Sequence, residues 1–126
     1  MDTHRIDLGE FRDDYAGEWV DIRTRRGWAR AKEIESAAVV FRPDLLNPGE
    51  TKAEIDLLKQ DLLKLEGAIT AWSFDFPPDS RGFRSDDFEE SLGEWLVARI
   101  DSYYAGRRRT DEERKTSAGT STEPSN

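Results

Sequence analysis

The chain has 126 residues, a formal net charge of −8 and no cysteine. That length supports one domain with a modest core. Without cysteine, disulfides and thiolate chemistry are excluded, and the acidic total is the wrong sign for a general phosphate-backbone binder. No stretch approaches the roughly 20 apolar residues that span a bilayer, and the first residues lack the apolar run of a leader, so the expectation is a cytoplasmic chain with no membrane span. Charged residues make up 37% and hydrophobic ones 36%, close to the composition of disordered chains, but four Trp, six Phe and three Tyr argue for a folded core.

Ile6 and Leu8 alternate with Arg5 and Asp7, and Val20 and Ile22 with Asp21 and Arg23. This period of two predicts an antiparallel strand pair, residues 4–11 with 18–24, joined through the turn-forming Asp13, Asp14 and Gly17. In that register Trp19 faces away from Val20 and Ile22, so it is either covered by another element or displayed as a contact. Residues 28–38, with Trp28, Ala31 and Ile34, predict a weakly amphipathic helix. Val39, Val40 and Phe41 extend it or form a short extended piece, and Pro43 and Pro48-Gly49 predict a loop over 42–49.

Thr51-Lys52-Ala53-Glu54 matches a capping box and predicts a helix start. Ile55, Leu58, Leu62, Leu65, Ile69 and Trp72 follow at spacings of three and four, so the longest helix is expected over 51–72. The same seam permits a coiled coil, but three heptads favour packing against another helix of this chain. Two prolines and Gly82 predict an ordered loop over 73–84, with Phe74 among its anchors. A final helix is expected over 86–105, capped by Ser85, with Leu92, Trp95, Leu96, Ile100 and Tyr103 on its buried stripe. Residues 106–126 contain no large apolar side chain and predict a disordered polar tail. Five basic and four acidic residues there leave −9 on 1–105. The expected fold is thus mainly α with a small N-terminal β-hairpin: a single domain over 1–105, built as a compact bundle of about three helices, followed by the tail.

Little in the sequence points to catalysis. The one histidine, His4, sits near the terminus, expected to fray, and no cysteine joins it, which removes nucleophilic triads and ordinary zinc sites. Asp13-Asp14, Asp86-Asp87, Glu89-Glu90 and the Asp75/Asp79 pair are expected to be solvated or capping carboxylates, since they lack calcium-loop spacing and no glycine-rich phosphate loop accompanies them. Arg107-Arg108-Arg109 is followed at once by Asp111-Glu112-Glu113, which cancels most of its field. Arg23, Arg25, Arg26 and Arg30 lie near Trp19 and Trp28 as a second basic-aromatic cluster, read as structural or protein-docking within an acidic body. No catalytic residue, cofactor or metal is therefore expected, and nucleic acid is not the expected partner.

The order of elements carries a resemblance. A strand pair with Trp19, a helix opening at Trp28, a Leu-rich helix ending in Ile69-Thr70-Ala71-Trp72-Ser73-Phe74-Asp75, the Gly82 loop and a last helix with Leu92 and Ile100 resemble the small tail assembly chaperones of long-tailed bacteriophages, especially those of actinobacterial hosts. The resemblance covers roughly residues 18–105. Ile69, Trp72, Asp75 and Gly82 stand at the family's Ile-x-x-Trp, Asp and Gly places, whereas Pro77-Pro78 and the polar 85–91 segment depart from its pattern. It implies a non-enzymatic protein of the infected cell's cytoplasm, absent from the mature virion, that binds the tape measure protein and helps tail tube subunits gather on it. It also implies a longer frameshifted form. Trp19, Trp28, Trp72 and Phe74 are the expected protein-binding residues. The alternative is an acidic inhibitor or antitoxin-like protein that covers a basic partner by charge mimicry.

Overall fold

The computed structural model describes residues 2–37 and 39–121, with residues 37 and 110–121 described by backbone alone. The N-terminal alternation resolves into β1 (Thr3–Asp7) and β2 (Trp19–Arg23), paired antiparallel with Ile6 opposite Val20 and His4 opposite Ile22. Two 3-10 turns, Leu8–Glu10 and Asp13–Tyr15, connect them, and Gly17 closes the connection at φ 88, a left-handed conformation that costs a glycine little. The expected strand pair is present with shorter strands. Next come α1 (Trp28–Ala37), β3 (Val39–Pro43), β4 (Thr51–Ile55), α2 (Leu57–Ala68), β5 (Ile69–Trp72), α3 (Ser80–Phe83) and α4 (Glu90–Ser121).

The fold is mixed α/β and not a three-helix bundle. It contains a three-stranded antiparallel sheet in the order β1-β2-β5 and a separate two-stranded sheet, β3-β4. Two segments read as helix account for the difference. Thr51–Ile55 is a strand, with Phe41 opposite Ala53 and Val39 opposite Ile55. The helix start belongs instead to Asp56, whose carboxylate accepts the Lys59 N–H at 3.0 Å. The loop expected over 42–49 shrinks to the hairpin connection, where Asp44 accepts from the Leu46 N–H and the Asn47 side-chain amide, and Gly49 takes φ 89.

The second segment is Ile69–Trp72, which leaves the helix and pairs with β2, Val20 opposite Trp72. The turn of direction occurs at Ile69, whose backbone is extended at φ −77 and ψ 126 while its N–H still donates to the Leu65 carbonyl. A register shift between Asp21 and Ile22 leaves Thr70 opposite no residue of β2, and Thr70 donates its hydroxyl to the Asp21 carbonyl.

The inner face of the three-stranded sheet carries Ile6, Val20, Ile22 and Trp72. Leu65 and Ala68 of α2 and Leu92, Leu96, Ile100 and Tyr104 of α4 pack on it to form the core. The stripe expected on the last helix is present, except that Tyr104 takes the buried place expected of Tyr103. That helix begins at Glu90 and not at 86, because Ser85 caps only a turn, accepting from the Asp87 N–H. Of the expected stripe only the C-terminal part is buried; Ile55, the end of β4, and Leu58 in the first turn of α2 are exposed, so no continuous seam exists for a coiled coil. The expected tail begins inside α4, and its side chains beyond Arg109 lie outside the described residues.

Candidate functional site

A hairpin of two strands alone is marginal in water unless one face is covered. In β3-β4 the face bearing Val39, Phe41, Ala53 and Ile55 is exposed, with Phe41 at 74% and Ile55 at 62%. At the tip Leu45 and Leu46 are almost fully exposed, and at the base the first turn of α2 adds Leu57 and Leu58. The opposite face carries the half-buried Val40 among charged residues: Arg42 pairs with Glu54 at 2.9 Å, and Lys52 approaches the same carboxylate. The hairpin is therefore an amphipathic arm with one greasy face, and it carries most of the large apolar side chains that the described residues expose. Sequence reasoning missed it, because Val39, Phe41, Ala53 and Ile55 fall on one face only once the two segments are paired.

The four aromatic residues expected to bind a partner are not gathered in one place. Trp72 is buried at the centre of a ring cluster, within 5.2–5.7 Å of Phe74, Phe76, Phe83 and Phe88, and its indole N–H donates to the Phe76 carbonyl at 2.6 Å. Phe74 stacks on Phe76 at the edge of that cluster, partly buried. Both support the 73–84 segment, which is not loop throughout as expected: Asp79 caps the single turn of α3 at Ser80–Phe83. Gly82 is required there, since a Cβ at that position would stand 1.8 Å from the Pro77 carbonyl oxygen. Trp19 lies on the outer face of the three-stranded sheet. The Arg5 guanidinium covers its ring at 3.9 Å and also holds Asp21 by a two-pronged ion pair. Trp28, 77% exposed, opens α1 at the rim of a separate cavity between α1, α2 and α4.

The carboxylate pairs spread out as caps and ion-pair partners. Arg12 holds both Asp14 and Glu89, and Asp79 caps α3 while binding Arg81. These guanidinium partners hold the Asp14 and Asp79 carboxyls below the ordinary range. Asp61 behaves oppositely: burial against α4, and to a smaller extent repulsion from Glu94 and Asp101, raises its carboxyl despite Lys64 nearby. Among the described residues no three His, Cys, Asp or Glu side chains converge as a metal-binding group, and no helix is long and apolar enough to cross a membrane. His4 is no frayed terminal residue: it belongs to β1 and its ring stacks on Tyr103 at 4.4 Å. No protein-family model, curated protein or solved structure matches the chain.

Proposed function

We propose that this chain is a non-enzymatic protein-binding subunit of the tail assembly chaperone type. It holds apolar helical segments of a tape measure protein in the host cytoplasm, while tail tube subunits gather on them, and is left out of the finished virion. The observation that carries this reading is the apolar face of the β3-β4 arm, continued by Leu57 and Leu58 at its base. An amphipathic partner helix buries its own apolar stripe against such a surface. The sequence order of Trp19, Trp28, the Ile69–Trp72 segment and Gly82 adds the resemblance to that family.

The test is co-expression with the tape measure protein encoded beside it. A complex that persists through size exclusion at high salt supports the reading, because apolar contacts are screened little. Separation of the two proteins under all conditions would remove it.

A further inference from the structure

The cavity between α1, α2 and α4 has a volume of about 780 Å³, in the range of ordinary ligand pockets. Its lining runs against the charge of the whole molecule: Arg25, Arg26, Lys64, Arg107 and Arg108 face two carboxylates, Glu35 and Asp101. Glu35 is drawn toward Lys32 at 3.5 Å. Asp101 accepts from Lys64 at 2.8 Å and stands 3.6 Å from Arg26, close enough to attract the charge but too far for a hydrogen bond. An Arg26 Nη2 and the Arg107 Nε are accordingly buried without hydrogen-bond partners. Arg25 and Arg108 have no carboxylate partner among the described residues. A chain of net charge −8 thus gathers five cationic side chains in one concavity, two of which carry a buried nitrogen without a hydrogen-bond partner.

Buried donors of this kind gain from an acceptor brought by a ligand. We propose that the cavity receives an acidic, partly apolar segment of the partner protein. The carboxylate chemistry is already displayed inside it, where Asp101 sits between Lys64 and Arg26. The remaining walls suit a peptide better than a bare anion. Ile34 and Ala31 form an apolar side, Trp28 stands exposed at the rim, and the Tyr104 ring lies beneath Arg26 at 4.5 Å. Gln60 on the wall is one turn from the exposed Leu57, so the cavity adjoins the apolar base of the arm. One partner helix can lay its apolar stripe on the arm and place acidic side chains among the arginines. The proposal deepens the protein-binding reading and rests on it.

The probe is a fluorescein-labelled amphipathic peptide of ~15 residues with Leu on one stripe and Glu on the other, beside the same peptide with Gln for every Glu. Binding is read by fluorescence anisotropy to the whole chain and to the double variant Arg25→Glu/Arg108→Glu, whose positions are exposed and whose fold is checked by urea denaturation. The Glu peptide is expected to bind at least about tenfold tighter than the Gln peptide, and charge reversal to abolish that preference. Equal affinity for the two peptides, an unchanged preference in the variant, or displacement of the peptide by inorganic phosphate at equal concentration would each overturn the proposal. Capture of the tape measure protein is measured in parallel. If the charge-reversed variant captures it as well as the parent chain, and the peptide preference is absent, the cavity proposal fails alone. If the parent chain captures nothing but keeps the peptide preference, the chaperone reading fails and the cavity stands.

Discussion

Replacing Phe41 and Ile55 together by threonine separates the arm's part in folding from its part in binding. Threonine keeps the β-branched preference for extended backbone, so the hairpin itself is spared. Full burial of a Phe or Ile side chain is worth about 1.5–3 kcal/mol. Phe41 is 74% and Ile55 62% exposed, so the folded chain realises only about a quarter and two-fifths of that, together roughly 1–2 kcal/mol. The unrealised part, about 2–4 kcal/mol, becomes available when a partner covers the arm, which corresponds to a loss of about 30- to 800-fold in affinity. Urea denaturation gives the first quantity, and titration of the tape measure protein by calorimetry gives the second. Leu96→Ala, at a fully buried core position, serves as the contrast and should cost about 2–5 kcal/mol. The reasoning is refuted if the double threonine variant loses as much stability as Leu96→Ala, or if it binds the partner undiminished.

Gly82→Ala should cost about 3 kcal/mol in urea denaturation and weaken the near-ultraviolet signal of Trp72, because the Pro77 carbonyl that meets the new Cβ belongs to the backbone and the indole lies 3.1 Å away. Asp21 is held below its ordinary range, chiefly by the hydrogen-bonded Arg5 fork. The folded state therefore binds this proton less readily than the unfolded one. The contribution of Asp21 is complete above the ordinary Asp value of ~3.9 and is lost as pH falls through the lower folded value, so Asp21→Asn should flatten that part of the acid limb. Asp61 has the opposite sign: burial raises it, so its stabilising contribution is complete below ~3.9 and is lost as pH rises through the higher folded value. Asp61→Asn should raise the urea midpoint at neutral pH and lose that advantage in acid; equal midpoints for parent and variant at neutral pH would contradict the burial assigned to this carboxylate.

The elements legible in the sequence are those in which one local period agrees with the tertiary environment. Val20 and Ile22 alternate and are both fully buried against helices; Leu92, Leu96 and Ile100 keep helical spacing and are fully buried against the sheet. The stretch from Thr51 to Trp72 misleads because two periods coincide there. Thr51-x-x-Glu54 satisfies a capping pattern, and Ile55 begins a three-four progression that runs unbroken to Trp72. The chain nevertheless uses the first five residues as a strand and the last four as another. Returning the chain at Pro48-Gly49 brings Thr51–Ile55 beside Val39–Pro43, a long-range pairing that outweighs a single cap. At the other end Ile69 and Thr70 are β-branched, and they take the free edge of β2 that a helix would leave without backbone partners. Those two residues, just beyond Gly67, were the available signal.

The binding surfaces were less legible, for a reason particular to charge. A net charge is a sum over the chain, whereas a partner meets the field of one patch, and in 0.15 M salt a charge is felt over only about 8 Å. Arg25 and Arg26, Lys64, and Arg107 and Arg108 are separated by dozens of residues, and each group has acidic neighbours in sequence that offset its charge when only the sequence is summed. The fold draws the neighbours of the first group elsewhere, Asp21 to Arg5 on the outer sheet face and Glu33 to Arg30 along the exposed side of α1, whereas Asp101 stays in the cavity between Lys64 and Arg26. The acidic total that argues against a phosphate-binding surface is therefore compatible with a cationic cavity, and of the expected contact residues Trp28 alone lies at its rim because it opens the helix that forms one wall.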